Sequence, residues 1–163
     1  MAVQTTYSEN IGAARAGMIA DTQGTLNLIS RTVETAAGIG FGLPVGQGTN
    51  DNGVILSEAG ADYVGFTVRE RSVDPANPNE FAQYDTARIM THGVIWVTVT
   101  DAGGVVAGDP VWVTEATGAL SNADVGSGGG TNLAGCRWES TAVNGALAKI
   151  RVNMDVPQVA GAA

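Results

Sequence analysis

From Thr25 onward the chain is written in short stretches where apolar and polar positions alternate with a period of two. That is the signature of half-buried strands. TLNLISRTV (25–33) sets Leu26 and Leu28 on one face and Asn27 on the other. GIGFGLPVGQGTNDNG (38–53) alternates Ile39, Phe41, Leu43 and Val45 with glycines, as a strand does where another backbone approaches closely, and ends in a turn at Asn52-Gly53. YVGFTVRE (63–70) is a strand with an internal glycine, and DPANPNE (74–80) is a loop set by two prolines and two asparagines. The strongest strand is RIMTHGVIWVTVT (88–100), in which Ile95, Val97 and Val99 alternate with Trp96, Thr98 and Thr100. DAGG (101–104) turns the chain into PVWVTE (110–115), and a short GALSN strand follows. VGSGGGTN (125–132) reads as a flexible loop tip. LAGCRWES (133–140) and ALAKIRVN (146–153) read as a hairpin through Val143-Asn144-Gly145.

The first 24 residues break this pattern. They are rich in Ala, Thr, Ser and Gly, and Gly12 and Gly17 weaken any helix between Ala13 and Ala20. The expected organisation is an extended N-terminal arm (1–24), one β-barrel or jelly-roll-like body (25–156) and a flexible C-terminal tail (157–163). The fold class is all-β, because short strands separated by frequent turn signals argue for a barrel or sandwich and no long amphipathic helix pattern appears. Fully stretched, such an arm reaches about 80 Å, enough to cross onto a neighbouring subunit.

Composition narrows the function. At 163 residues the chain can hold a real core, and 44% of it is hydrophobic, so it is not disordered as a whole. Only 15% of residues are charged, a fraction that suits a surface largely covered by partners. Net charge is −8, with no run of Lys or Arg, which argues against nucleic acid and against an anionic membrane. No stretch approaches the roughly 20 apolar residues of a membrane span, and the N-terminus lacks the basic and apolar regions of a signal peptide, so synthesis in the cytoplasm is expected.

Candidate chemistry is sparse. His92 is the sole histidine and Cys136 the sole cysteine. His92 sits in the strongest strand and reads as a partly buried structural or interface residue, with no GxSxG elbow beside it. Cys136 reads as a small buried hydrophobe, and the pair cannot assemble a zinc site. NDNG (50–53) lacks the acidic spacing and closing Glu of a calcium loop. GIGFGLPVGQG (38–48) matches no phosphate-binding fingerprint. The expectation is no cofactor, no metal and no catalytic residue. ADYVGFTV (61–68) faintly resembles a segment of the trimeric dUTP pyrophosphatases, but that family's Arg-Ser-Ser motif and C-terminal glycine-rich phosphate loop are missing.

A wider resemblance covers nearly the whole chain. TYSENIGAARAGMIADTQ (6–23), Ser30-Arg31-Thr32-Val33-Glu34, Val45-Gly46-Gln47-Gly48-Thr49, VGFTVRER (64–71), GVIWVTVTDAGGVVAGDPVWV (93–113) and the two closing strands are similar, in order and spacing, to the structural cement proteins of tailed phages. Thr91-His92 departs from the basic residue expected there. The resemblance implies a non-enzymatic virion protein that decorates the outside of the expanded head at junctions between major capsid subunits, made in the host cytoplasm. Its implied partners are the major capsid protein and further copies of itself, as a homotrimer or homodimer. An acidic protein is repelled by packaged DNA, which agrees with an outer position. Tyr7, Ile11, Met18 and Ile19 are the expected apolar anchors of the contact arm. Trp96 and Trp112 are expected in the core, or alternatively as interface anchors. Other readings are a tail or fibre-base module, or a soluble β enzyme or lectin-like domain.

Overall fold

One long strand organises the molecule. In the computed structural model, which describes residues 14–22, 24–56, 62–71, 75–124, 129–156 and 159–160, every regular element is a strand. In chain order these are β1 (Ile19–Asp21), β2 (Asn27–Val33), β3 (Ile39–Gly40), β4 (Pro44–Gln47), β5 (Gly53–Leu56), β6 (Tyr63–Thr67), β7 (Glu80–Phe81), β8 (Thr86–Thr98), β9 (Pro110–Thr114), β10 (Ala119–Ser121), β11 (Gly130–Trp138), β12 (Leu147–Asn153) and β13 (Val159–Ala160).

The first half of β8 closes a barrel. It pairs antiparallel with β2 on one side and with β6 on the other, and the circuit β8–β2–β5–β4–β6–β8 is complete. Closure removes the free edges of these strands. All pairings in the circuit are antiparallel except β2–β5. Gly65 in β6 lies hard against β8, where a Cβ would collide with the carbonyl oxygen of Met90. This is the close backbone approach expected of a glycine inside a strand.

The second half of β8 pairs with β12 in an unbroken register from Leu147↔Thr98 to Asn153↔His92, and the sheet continues through β11 and β9 to β10. Gly93 separates the two halves at φ 137°, a conformation open to glycine and awkward for other residues. A long strand serving two sheets needs a bend, and the glycine sits where the partners change.

Two apolar clusters follow from this plan. Val33, Val45, Val54, Ala87 and Ile89 form the smaller one. It is capped by the two-stranded β3–β7 ribbon, whose Phe81 meets Phe41 edge to face with ring centroids 5.1 Å apart. The larger cluster joins Phe66 and Met90 of the barrel to Ile95, Val97, Val111, Val113, Leu133, Trp138 and Ile150. Thr67, fully buried, is satisfied by donating to Gly40 O at 2.7 Å and accepting from Leu43 N–H at 3.0 Å.

Several expectations are adjusted. Trp96 and Trp112 are half-buried, on the faces opposite Ile95/Val97 and Val111/Val113, because strand alternation turns them away from the core. The buried tryptophan is Trp138, whose indole N–H donates to Ser121 O at 3.2 Å. β11 begins at Gly130, inside the stretch expected to be loop, and Thr131 there donates to Glu115 at 2.7 Å in a buried setting. β11 and β12 pair as expected, and Glu139 N–H extends the pairing by donating to Lys149 O at 2.8 Å, but residues 141–144 swing out between them. Val105 and Ala142 bridge that excursion to the 101–109 loop, and Ala146 N–H closes the Asn144-Gly145 turn on Val143 O at 3.1 Å. In the segment expected to be a loose tail, Val159–Ala160 pairs with Thr131 and Asn132 of β11.

Candidate interaction surface

The described part of the arm does not leave the body freely. The chain turns at Arg15–Met18, where Met18 N–H donates to Arg15 O at 3.1 Å, and then runs as β1 along β8, with Ile19 opposite Ile95 and Asp21 opposite Val94. Gly17 is pinned between two segments: its N–H donates to Trp96 O at 2.8 Å, and its carbonyl accepts from Arg69 N–H at 2.7 Å. Of the expected arm anchors, Tyr7 and Ile11 lie outside the described residues. Ile19 is half-buried against the protein's own larger core, and Met18 is 41% exposed. Ile19 therefore fastens the root of the arm, and Met18 is the one of this pair offered to solvent.

Beside Met18 lies a cleft of about 660 Å³ lined by Arg15, Arg69, Arg71, Pro75 and Pro78. Arg69 is held in place there, donating to Asn79 Oδ1 at 3.0 Å with its guanidinium 4.9 Å from the centre of the Phe41 ring. Glu70, also in the lining, is engaged by Arg88 at 2.9 Å. Sequence reading missed this cleft because its arginines are scattered along the chain and no local run announces them.

Trp96 lies under Lys149, with the ammonium 5.1 Å from a ring centre. The other large apolar side chains exposed among the described residues are Tyr84, Val106, Val143 and Val156. Tyr84 stands out: it is 75% exposed and adopts φ 69°, the one non-glycine residue described with positive φ. Its N–H donates to Val33 O and the turn is closed by Asp85 N–H on Ala82 O, so the surrounding hydrogen bonds impose the conformation.

His92 Nε2 lies 3.0 Å from Asp155 Oδ2 and Nδ1 lies 3.2 Å from Thr91 Oγ1, in a shallow cleft with Asp21, Arg151 and Asn153. Asp155 is 81% exposed on its side chain, which is a solvent-facing ion-pair geometry. Cys136 is buried, and desolvation pushes its thiol up to about 11, against a smaller opposing effect of a backbone hydrogen bond at Asn153, which disfavours the thiolate. Among the described residues no His/Cys/Asp/Glu cluster of three could hold a metal. Tyr63, in the segment resembling the dUTP pyrophosphatases, is buried in the core. Among the described residues no helix is long and apolar enough to cross a membrane.

The carboxylates that are perturbed organise loops. Glu34 accepts from Asn50 Nδ2 (2.6 Å) and from the N–H groups of Thr49 (2.7 Å) and Asn50 (3.0 Å), which holds it below the usual carboxylate range. Asp109 is lowered by hydrogen bonds from Asn122 and then from Val106 N–H. At Glu139 burial acts to raise the pKa, but hydrogen bonds from Arg137 and Arg151 and their charges outweigh it and leave a net lowering.

The described residues thus form a closed all-β body with an N-terminal strand fastened to β8. The family model described as "Structural cement protein (E217 gp24/Pam3 gp6)" matches residues 3–153, and the chain belongs to that family of phage structural proteins, which is not an enzyme family. Its role is that of a structural component of the phage capsid. Among solved structures, one titled "The capsid of Myoviridae Phage XM1" is similar over 94% of this chain and 98% of its own, with a TM-score of 0.71 at 21% identity, a likeness of fold. The head fiber gp8.5 N base of bacteriophage phi29 overlaps 78% of this chain and 96% of its own, at a TM-score of 0.48 and 13% identity. No curated protein shows a significant sequence match.

Proposed function

We propose that this chain decorates the outer surface of the expanded phage head, binds at the junctions between major capsid subunits as a homo-oligomer, and stabilises the shell against internal pressure. The observation that carries the reading is the cement-family match over residues 3–153 on a barrel whose N-terminal strand is locked to β8. The arm upstream of Ala14, with Tyr7 and Ile11 as anchors, reaches the neighbouring subunit. Residues 17–21 serve as its fixed root.

The outer face is favoured by charge: a net −8 opposes close approach to packaged DNA. A protein that binds only the expanded lattice stabilises that state by mass action. A standard interface of about 1,600 Å² has a gross apolar driving force of tens of kcal/mol at about 25 cal/mol per Å², most of it offset by ordering costs. Repetition over the lattice and attachment through several copies make modest local gains effectively permanent.

Removal of residues 1–13 tests the reading while sparing β1. The shortened chain is expected to fold with an unchanged melting temperature and to lose saturable binding to expanded heads. Wild-type binding by the shortened chain would exclude the arm as the anchor. Equal binding of the full chain to unexpanded and expanded shells would exclude stabilisation of the expanded state.

A further inference from the structure

The chain carries eight basic against sixteen acidic residues, yet three of its seven arginines, Arg15, Arg69 and Arg71, line the one cleft beside Met18. They come from separate segments, brought together because the Gly17 carbonyl accepts the Arg69 N–H. Among the described residues no carboxylate is ion-paired with any of the three; the lining carboxylate, Glu70, is taken by Arg88. A concentration of unneutralised cations on an acidic protein is a local reversal of its field.

We infer that this cleft is a docking site for an acidic segment of the major capsid subunit that also carries an apolar side chain. The inference rests on the cement reading and deepens it by naming the surface and the partner's chemistry. Guanidinium groups present planar paired donors that match carboxylates. Arg69 is already oriented by Asn79 and the Phe41 ring, so part of its ordering cost is met before binding. The apolar part of the lining, Met18, Pro75 and Pro78, suits a polypeptide side chain and gives a bare phosphate backbone nothing to bury against. The cleft adjoins the root of the arm, so one capsid subunit can be held by both.

The test uses the full-length chain and expanded, undecorated heads. Arg15 and Arg71 are exposed and without a described ion-pair partner, so the double variant R15E/R71E is expected to melt like wild type. Its apparent Kd for heads should be weaker by at least about tenfold, because like charges are then juxtaposed. R15K/R71K should keep most of the affinity, and wild-type binding should weaken as salt rises. If R15E/R71E is not folded, R71Q replaces it, with a smaller loss expected. Wild-type binding to heads with unchanged affinity in the reversal variant overturns this site and leaves the cement reading standing. Failure of wild type itself to bind heads overturns the cement reading, and this site with it. Loss of self-association with unchanged affinity for heads would identify a second copy as the occupant and overturn the assignment to the capsid subunit.

Discussion

Gly17 and Trp96 are joined through the backbone: Gly17 N–H donates to Trp96 O at 2.8 Å, and Trp96 N–H in turn donates to the carbonyl of the next residue, Met18, at 2.9 Å. This pairing makes the root of the arm part of the sheet. Gly17 has φ 81°, and a Cβ there would lie 2.7 Å from Phe41 Cβ and 2.9 Å from Arg69 N. Gly17→Ala is therefore expected to cost about 1–3 kcal/mol through strain and overpacking. Urea unfolding measures this, and wild-type stability in the variant would show that the arm root is not integral to the body.

Trp138 and Trp112 should respond differently to truncation. Trp138 is fully buried and its indole is hydrogen-bonded, so Trp138→Ala should cost about 3–5 kcal/mol or abolish folding. Trp112 is half-buried on the other face, and Trp112→Ala should cost clearly less. Equal losses in denaturant unfolding would contradict the assignment of faces.

Glu34 predicts an acid-sensitive loop. Its folded pKa is lowered, so its contribution is fully present above the ordinary carboxylate range and is lost as pH falls through the lower folded value. Protection factors of the Thr49 and Asn50 amides should fall over that acid window, and Glu34→Gln should show reduced protection already at neutral pH. Protection independent of pH would remove Glu34 as the organiser of the 47–53 loop.

Cys136 should be unreactive in the folded protein. With the thiol pushed up to about 11 and buried, alkylation at pH 8 should occur only from unfolded molecules. Rapid labelling without denaturant would contradict the packing around β11.

Tyr84 offers a stabilising substitution. Its φ of 69° suits glycine, and its side chain is 75% exposed, so Tyr84→Gly should leave stability unchanged or raise it by up to about 1 kcal/mol. A marked fall in melting temperature would mean that the ring makes a contact within the barrel.

Much of the barrel was legible because alternation is a local property. Ile95, Val97 and Val99 announced their face, whereas the close approach at Gly65 comes from the fold. Alternation sets Trp96 opposite that face, while Trp96 and Trp112 are expected in the core or alternatively as interface anchors; in the fold both are half-buried. The closure of β6 on β8, the parallel β2–β5 pair and the docking of β1 depend on long-range pairing that no local stretch encodes. The Arg15–Arg69–Arg71 cleft was illegible for the same reason: charges separated in sequence meet only when the chain folds.

The central claim is tested most directly by co-sedimenting the purified full-length chain with expanded, undecorated heads and then heating the heads with and without it. Saturable binding at many copies per head, with a raised temperature of head disruption, is the predicted result. No binding to any head form, or binding that leaves the disruption temperature where it was, would contradict the cement function.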